Sequence, residues 1–68
     1  MNKKEFCLLL LRYIDDGFTK LDIETEYLIC GFDFDEDTIL LSKDYFVLEE
    51  PGVPRIKIHY KNVKRISC

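Results

Sequence analysis

The sequence predicts an α+β domain: one N-terminal helix followed by a small five-stranded, strongly bent antiparallel sheet or barrel. Three observations carry this. Phe6, Leu9, Leu10, Tyr13 and Ile14 recur at helical spacing, and Gly17 closes the run. From Leu21 onward the apolar period drops to two. Turn-forming residues, most clearly Glu49-Glu50-Pro51-Gly52, divide that remainder into short segments.

Asn2, followed three residues later by Glu5, has the form of a capping box and sets a helix over about residues 3–15. Gly17 suits the left-handed position that ends a helix, where Phe18 would pack back on Tyr13. Cys7, Leu8 and Leu11 fall outside the narrow apolar face, so the stripe is wider than one small sheet covers. Two outcomes follow: half-exposed leucines, or a subunit contact.

Leu21 and Ile23 alternate with Asp22 and Glu24, Tyr27 to Cys30 form an apolar run, and Phe32 and Phe34 alternate with Asp33 and Asp35. Asp35-Glu36-Asp37 reads as a turn. Thr38 to Leu41 and Tyr45 to Leu48 follow, joined by a bend or bulge at Ser42-Lys43-Asp44. After Pro51-Gly52, Ile56, Ile58 and Tyr60 alternate with Lys57, His59 and Lys61, and Asn62 makes a corner before Val63 to Ser67. Five short antiparallel strands shed their exposed edges by curling into a barrel, with the helix across one open end.

The 68 residues make a single domain, 1–68. A chain of this size buries only about 60% of its unfolded surface, so its core is marginal and oligomerisation is a common supplement. The apolar fraction of 47% places it among folding rather than disordered sequences. Cys7, Cys30 and Cys68 are odd in number and widely spaced, which points to free thiols and a reducing, cytoplasmic setting. The apolar run Phe6 to Leu11 is interrupted by Arg12 and lacks a small-residue cleavage site, so it reads as helix rather than signal peptide or membrane span.

The segment from Leu21 to Ile66 resembles the Sm-like proteins, and within them the bacterial Hfq branch. Gly31 matches a second-strand glycine, Asp35-Glu36-Asp37 an acidic turn, Ile39-Leu40-Leu41 an aliphatic third strand, and Tyr60-Lys61-Asn62-Val63 the second motif. Asn62 stands where that branch has histidine, and the asparagine that other Sm proteins carry after the acidic turn is absent. The resemblance implies a small SH3-like barrel and a ring of six or seven subunits joined strand to strand. It also implies RNA contacts at Lys61 and Asn62 near a central pore.

Charge is distributed in blocks. Pro54 to Ile66 holds five cations and no acid, whereas Phe32 to Glu50 holds seven acids and one lysine. Such asymmetry says that the protein binds something, or binds copies of itself, although a formal net charge of -3 disfavours non-specific attachment to phosphate backbones. Arg55, Lys57, Lys61 and Asn62 are the candidate ligand residues, for RNA or a nucleotide-like anion. Tyr45, Phe46 or Tyr60 would stack a base if exposed. Lysines on such a strand equally protect a sheet edge from wrong pairing.

Asp33, Asp35 and Asp37 are the candidate partner-binding residues, either for a host protein or for the basic strand of a second copy. Their spacing imitates a calcium loop, but Thr38 occupies the position where that loop requires glycine, and the flanks read as strands. One histidine, His59, and three scattered cysteines offer no nucleophile–base pair and no zinc set. No glycine-rich phosphate loop is present.

The sequence therefore reads as a non-catalytic, self-associating binding protein without a cofactor. A competing reading is an inhibitor or adaptor of phage or mobile-element type. It would dock a host protein through the acidic segment or the surplus helix face.

Overall fold

The computed structural model describes residues 1–68, beginning with the helix that the spacing dictates, α1 at Lys3–Asp15. The Asn2 side chain accepts the Glu5 N–H at 2.8 Å, satisfying one of the orphan donors of the first turn. At the other end Gly17 has φ +86°, a conformation that costs glycine least. The Gly17 N–H donates to the Ile14 carbonyl and the Phe18 N–H to the Tyr13 carbonyl. Phe18 meets Tyr13 edge-on at 5.6 Å, completing a Schellman cap with its apolar contact.

Six strands follow. They are β1 (Lys20–Thr25), β2 (Ile29–Asp33), β3 (Thr38–Leu41), β4 (Tyr45–Glu49), β5 (Ile56–His59) and β6 (Val63–Ser67), with a 3-10 turn at Tyr60–Asn62 before the last. They form two three-stranded antiparallel sheets, ordered β2-β1-β6 and β3-β4-β5, rather than the single five-stranded sheet or closed barrel expected. The additional strand arises at Ser42-Lys43-Asp44. That segment is a hairpin turn, with the Ser42 N–H donating to the Tyr45 carbonyl and Leu41 facing Phe46 across it. It is not a bend within one long strand.

The chain crosses from the first sheet to the second at the acidic turn and returns through the 3-10 turn. A type II geometry closes the β4–β5 connection. The Val53 N–H donates to the Glu50 carbonyl, and Gly52 takes φ +75° after Pro51.

One apolar cluster joins both sheets and the helix. Leu21, Ile23, Cys30, Phe32 and Ile66 come from the first sheet, Phe46, Leu48 and Ile58 from the second, and Phe6 and Leu10 from α1. Phe6 is fully buried, stacked on Phe46 with centroids 4.3 Å apart. Tyr13, in the last turn of α1, donates from its hydroxyl to the Ile66 carbonyl. The helix thus grips one sheet through Phe6 and the other through Tyr13. Truncating a buried phenylalanine of this kind costs about 3–5 kcal/mol, a large fraction of the stability of a chain this small.

Candidate functional site

The basic segment does not form one surface. Arg55 lies just before β5, its guanidinium 3.6 Å from the Glu49 carboxylate on the adjacent strand. Lys57 is exposed on β5 with its ammonium 4.1 Å above the Tyr45 ring, a cation–π contact. Arg65 on β6 pairs with Glu24 at 2.8 Å. β5 and β6 are each the outer strand of their sheet. Their cations therefore also serve to discourage strand addition.

Lys61 sits elsewhere. The 3-10 turn carries it to an open cleft of about 490 Å³ beside the start of α1, where Lys3, Lys43 and His59 also line the wall. Three lysines face one acid there, Asp44. The cleft is held from below by Tyr60. Its hydroxyl donates to the Ser42 carbonyl at 2.7 Å, and its N–H donates to the Asp44 carbonyl at 3.2 Å. Burial pushes the Tyr60 phenol pKa upward. Lys3, Lys43 and Lys61 take no part in the ion pairs of the chain, which use Lys20, Arg55 and Arg65. The free N–H groups of the first helical turn add a partial positive charge at the same place.

Lys57 approaches this cleft through a short row, because the Tyr45 ring lies 5.8 Å from His59. Asn62 is exposed in the 3-10 turn beside Lys61 but does not line the cleft. Sequence reasoning pointed to Lys61 and missed Lys3 and Lys43. No local pattern connects residues 3, 43 and 61, and only the fold of Tyr60 under the Ser42–Asp44 turn gathers them.

Of the tyrosine and phenylalanine rings expected to stack a base, none stands fully open at this cleft. Phe46 and Tyr60 are core residues, and one face of Tyr45 carries Lys57. The most exposed aromatic of the chain is Tyr27, 86% exposed at the tip of the β1–β2 hairpin.

The acidic segment is a structural corner. The Asp33 carboxylate accepts the Asp35 N–H at 2.9 Å, and the Asp37 carboxylate accepts the Asp33 N–H at 2.9 Å. The Asp37 N–H in turn donates to the Asp33 carbonyl. Lys20 lies 3.9 Å from Asp33. Asp33 and Asp37 border a second shallow cleft of about 420 Å³ together with Asp22, Glu36 and Glu50, whereas Asp35 is exposed and does not line it. Phe32 is buried, and Phe34 packs edge-on against it at 5.2 Å, anchoring the corner from inside.

All three cysteines are free thiols. Cys30 is buried, and that burial, reinforced by Glu50, raises its thiol pKa. No helix is long and apolar enough to cross a membrane.

Comparison of the chain with family models, curated proteins and solved structures returned no match in any of the three.

Proposed function

We propose that this chain is a non-catalytic binding protein that holds a phosphate-bearing ligand, RNA or a nucleotide-like anion, in the cleft formed by Lys3, Lys43 and Lys61. The observation that supports this is the convergence of three lysines without ion-pair partners on one concave site at a helix start. Because the nearby aromatics are buried or covered, recognition is of phosphate charge rather than of bases. Lys57 and His59 extend the site along β5, and Asn62 lies within reach of a longer strand. Kinship with Sm-like proteins fits Gly31 in β2 and Lys61-Asn62 in the turn before the last strand. Six strands in two sheets depart from it.

The test is fluorescence anisotropy of a labelled single-stranded RNA, with tripolyphosphate as competitor and salt as a variable. Binding that polyphosphate displaces, that falls steeply with salt, and that Lys61→Glu reduces about tenfold or more is expected from loss and reversal of one phosphate contact. Normal binding by Lys61→Glu removes the cleft as the site.

A second reading is favoured by the acidic cleft, which fits a basic segment of a protein partner. It reverses the expectation: Glu36→Lys releases the partner, and Lys61→Glu does not. Glu36 is the informative position because its side chain accepts no backbone hydrogen bond, unlike those of Asp33 and Asp37.

A further inference from the structure

The outward face of α1 carries a self-complementary pattern. At 100° per residue, Lys4, Leu8, Leu11 and Asp15 fall within an arc of about 60°, nearly opposite the face that holds Phe6, Leu10 and Tyr13. Leu8 and Leu11 are each 58% exposed, and Lys4 and Asp15 are exposed at either end of the stripe. The two pairs are centred on the same point, midway between Leu9 and Leu10. A cation closes one end and an acid the other.

Both charges sit at the wrong end of their own helix. Lys4 lies in the first turn, where the backbone dipole is positive, and Asp15 lies in the last, where it is negative. Neither takes part in an ion pair within the chain. An antiparallel second copy removes both conflicts. It brings Asp15 and a negative helix end to Lys4, and Lys4 and a positive helix end to Asp15.

We propose that two copies of this chain associate through the outer face of α1, antiparallel about a two-fold axis between residues 9 and 10. Leu8 of each copy packs on Leu11 of the other, and Lys4 of each pairs with Asp15 of the other. The same rotation turns Glu5 of one copy toward Arg12 of the other along one flank, again with opposite sign. Cys7 and the half-exposed Ile14 line the opposite flank. The contact is isologous and closes at two subunits. One helix face is a small contact beside the roughly 800 Å² per partner of a standard interface, so a weak, reversible dimer is expected. This inference uses no residue of the basic cleft and does not rest on the anion-binding reading.

Sedimentation equilibrium from micromolar to millimolar concentration tests it, on the full chain and three variants. Lys4→Glu and Asp15→Lys each set like charges against each other in both halves of the contact. Each should weaken dimerisation about tenfold. The double variant Lys4→Glu/Asp15→Lys re-forms both pairs with exchanged sign and should restore the wild-type constant. Each single change also places the preferred sign at its helix end, so loss of the dimer cannot be assigned to loss of the helix. A thermal melt by circular dichroism confirms that the variants remain folded. A wild-type chain monomeric at millimolar concentration overturns the proposal. So does a double variant no tighter than the singles, or a larger ring whose mass is indifferent to all three changes.

Discussion

Two shallow clefts of similar size, about 490 and 420 Å³, carry opposite charge and are built in opposite ways. At the acidic one, Asp33 and Asp37 accept backbone N–H groups of their own turn. These two carboxylates hold the corner where the chain passes between sheets, since short carboxylates fold back onto local N–H groups. At the basic one, Lys3, Lys43 and Lys61 bond to nothing that holds the backbone. Long ammonium side chains cannot organise a turn in that way, and here they converge from three separate segments. A run of like charge in a sequence is therefore not in itself the mark of a site. What distinguishes the two is whether the backbone needs the charged groups.

The sharpest way to break this contrast is at Asp37. Asp37→Ala leaves the part-buried Asp33 N–H without its acceptor and should cost about 1–2 kcal/mol. For a chain this short, each kcal/mol corresponds to a melting temperature lower by about 4–8 °C. Asp37→Asn keeps an acceptor oxygen and should lose less. Anion binding at the lysine cleft should be unchanged in both, the mirror image of Lys61→Glu, which should lose binding and keep stability. An Asp37→Ala variant as stable as wild type by urea denaturation would return the acidic corner to the surface, free to serve a partner.

The same contrast explains what the sequence made legible. The helix bounds, the Asn2 cap, Gly17 and the Phe18–Tyr13 contact follow from neighbours within five positions, and each matches its expected place. The Pro51-Gly52 turn is equally local. The Ser42–Asp44 segment, a bend or bulge from sequence, has no glycine or proline to mark it as a hairpin turn. It is held instead by Tyr60, eighteen positions away from Ser42. The division into two sheets is likewise set by pairings such as Ile23 with Ile66, which no window of residues reveals. The exposed stripe on α1 was visible as excess apolar width at Leu8 and Leu11. Its charges were visible too, but their position at the ends of that stripe matters only once the inner face is known.

Tyr60 links the core to the cleft, which makes it the next place to sharpen the comparison. Tyr60→Phe leaves the Ser42 carbonyl without its donor and should cost about 1 kcal/mol at neutral pH. The folded phenol has a pKa raised by burial above its unfolded value of 10.0. Its contribution is therefore fully present below that value and is lost as pH rises through the folded pKa. The stability gap between wild type and Tyr60→Phe should narrow above about pH 10. Anion affinity should fall in the variant as well, because the turn that presents Lys43 loses its anchor. A gap that persists unchanged at high pH would mean that burial does not raise the phenol pKa of the folded chain.

Arg55 gives the smallest expected effect and decides how far the basic site extends. Its side chain is 71% exposed, and its ion pair with Glu49 is a surface contact across neighbouring strands. Pairs of this kind contribute between nothing and about 1 kcal/mol, so Arg55→Ala should leave the urea midpoint almost unchanged. Arg55 lies outside the cleft, and the Glu49 carboxylate already occupies its guanidinium. If the cleft lined by Lys3, Lys43 and Lys61 is the site, affinity for tripolyphosphate should therefore match wild type. A longer RNA reaching past Lys57 would lose affinity modestly, with a shallower salt dependence by about one phosphate contact. If Arg55→Ala weakened tripolyphosphate binding as much as Lys61→Glu, the whole outer edge along β5 would be the site. The cleft would then be only its end.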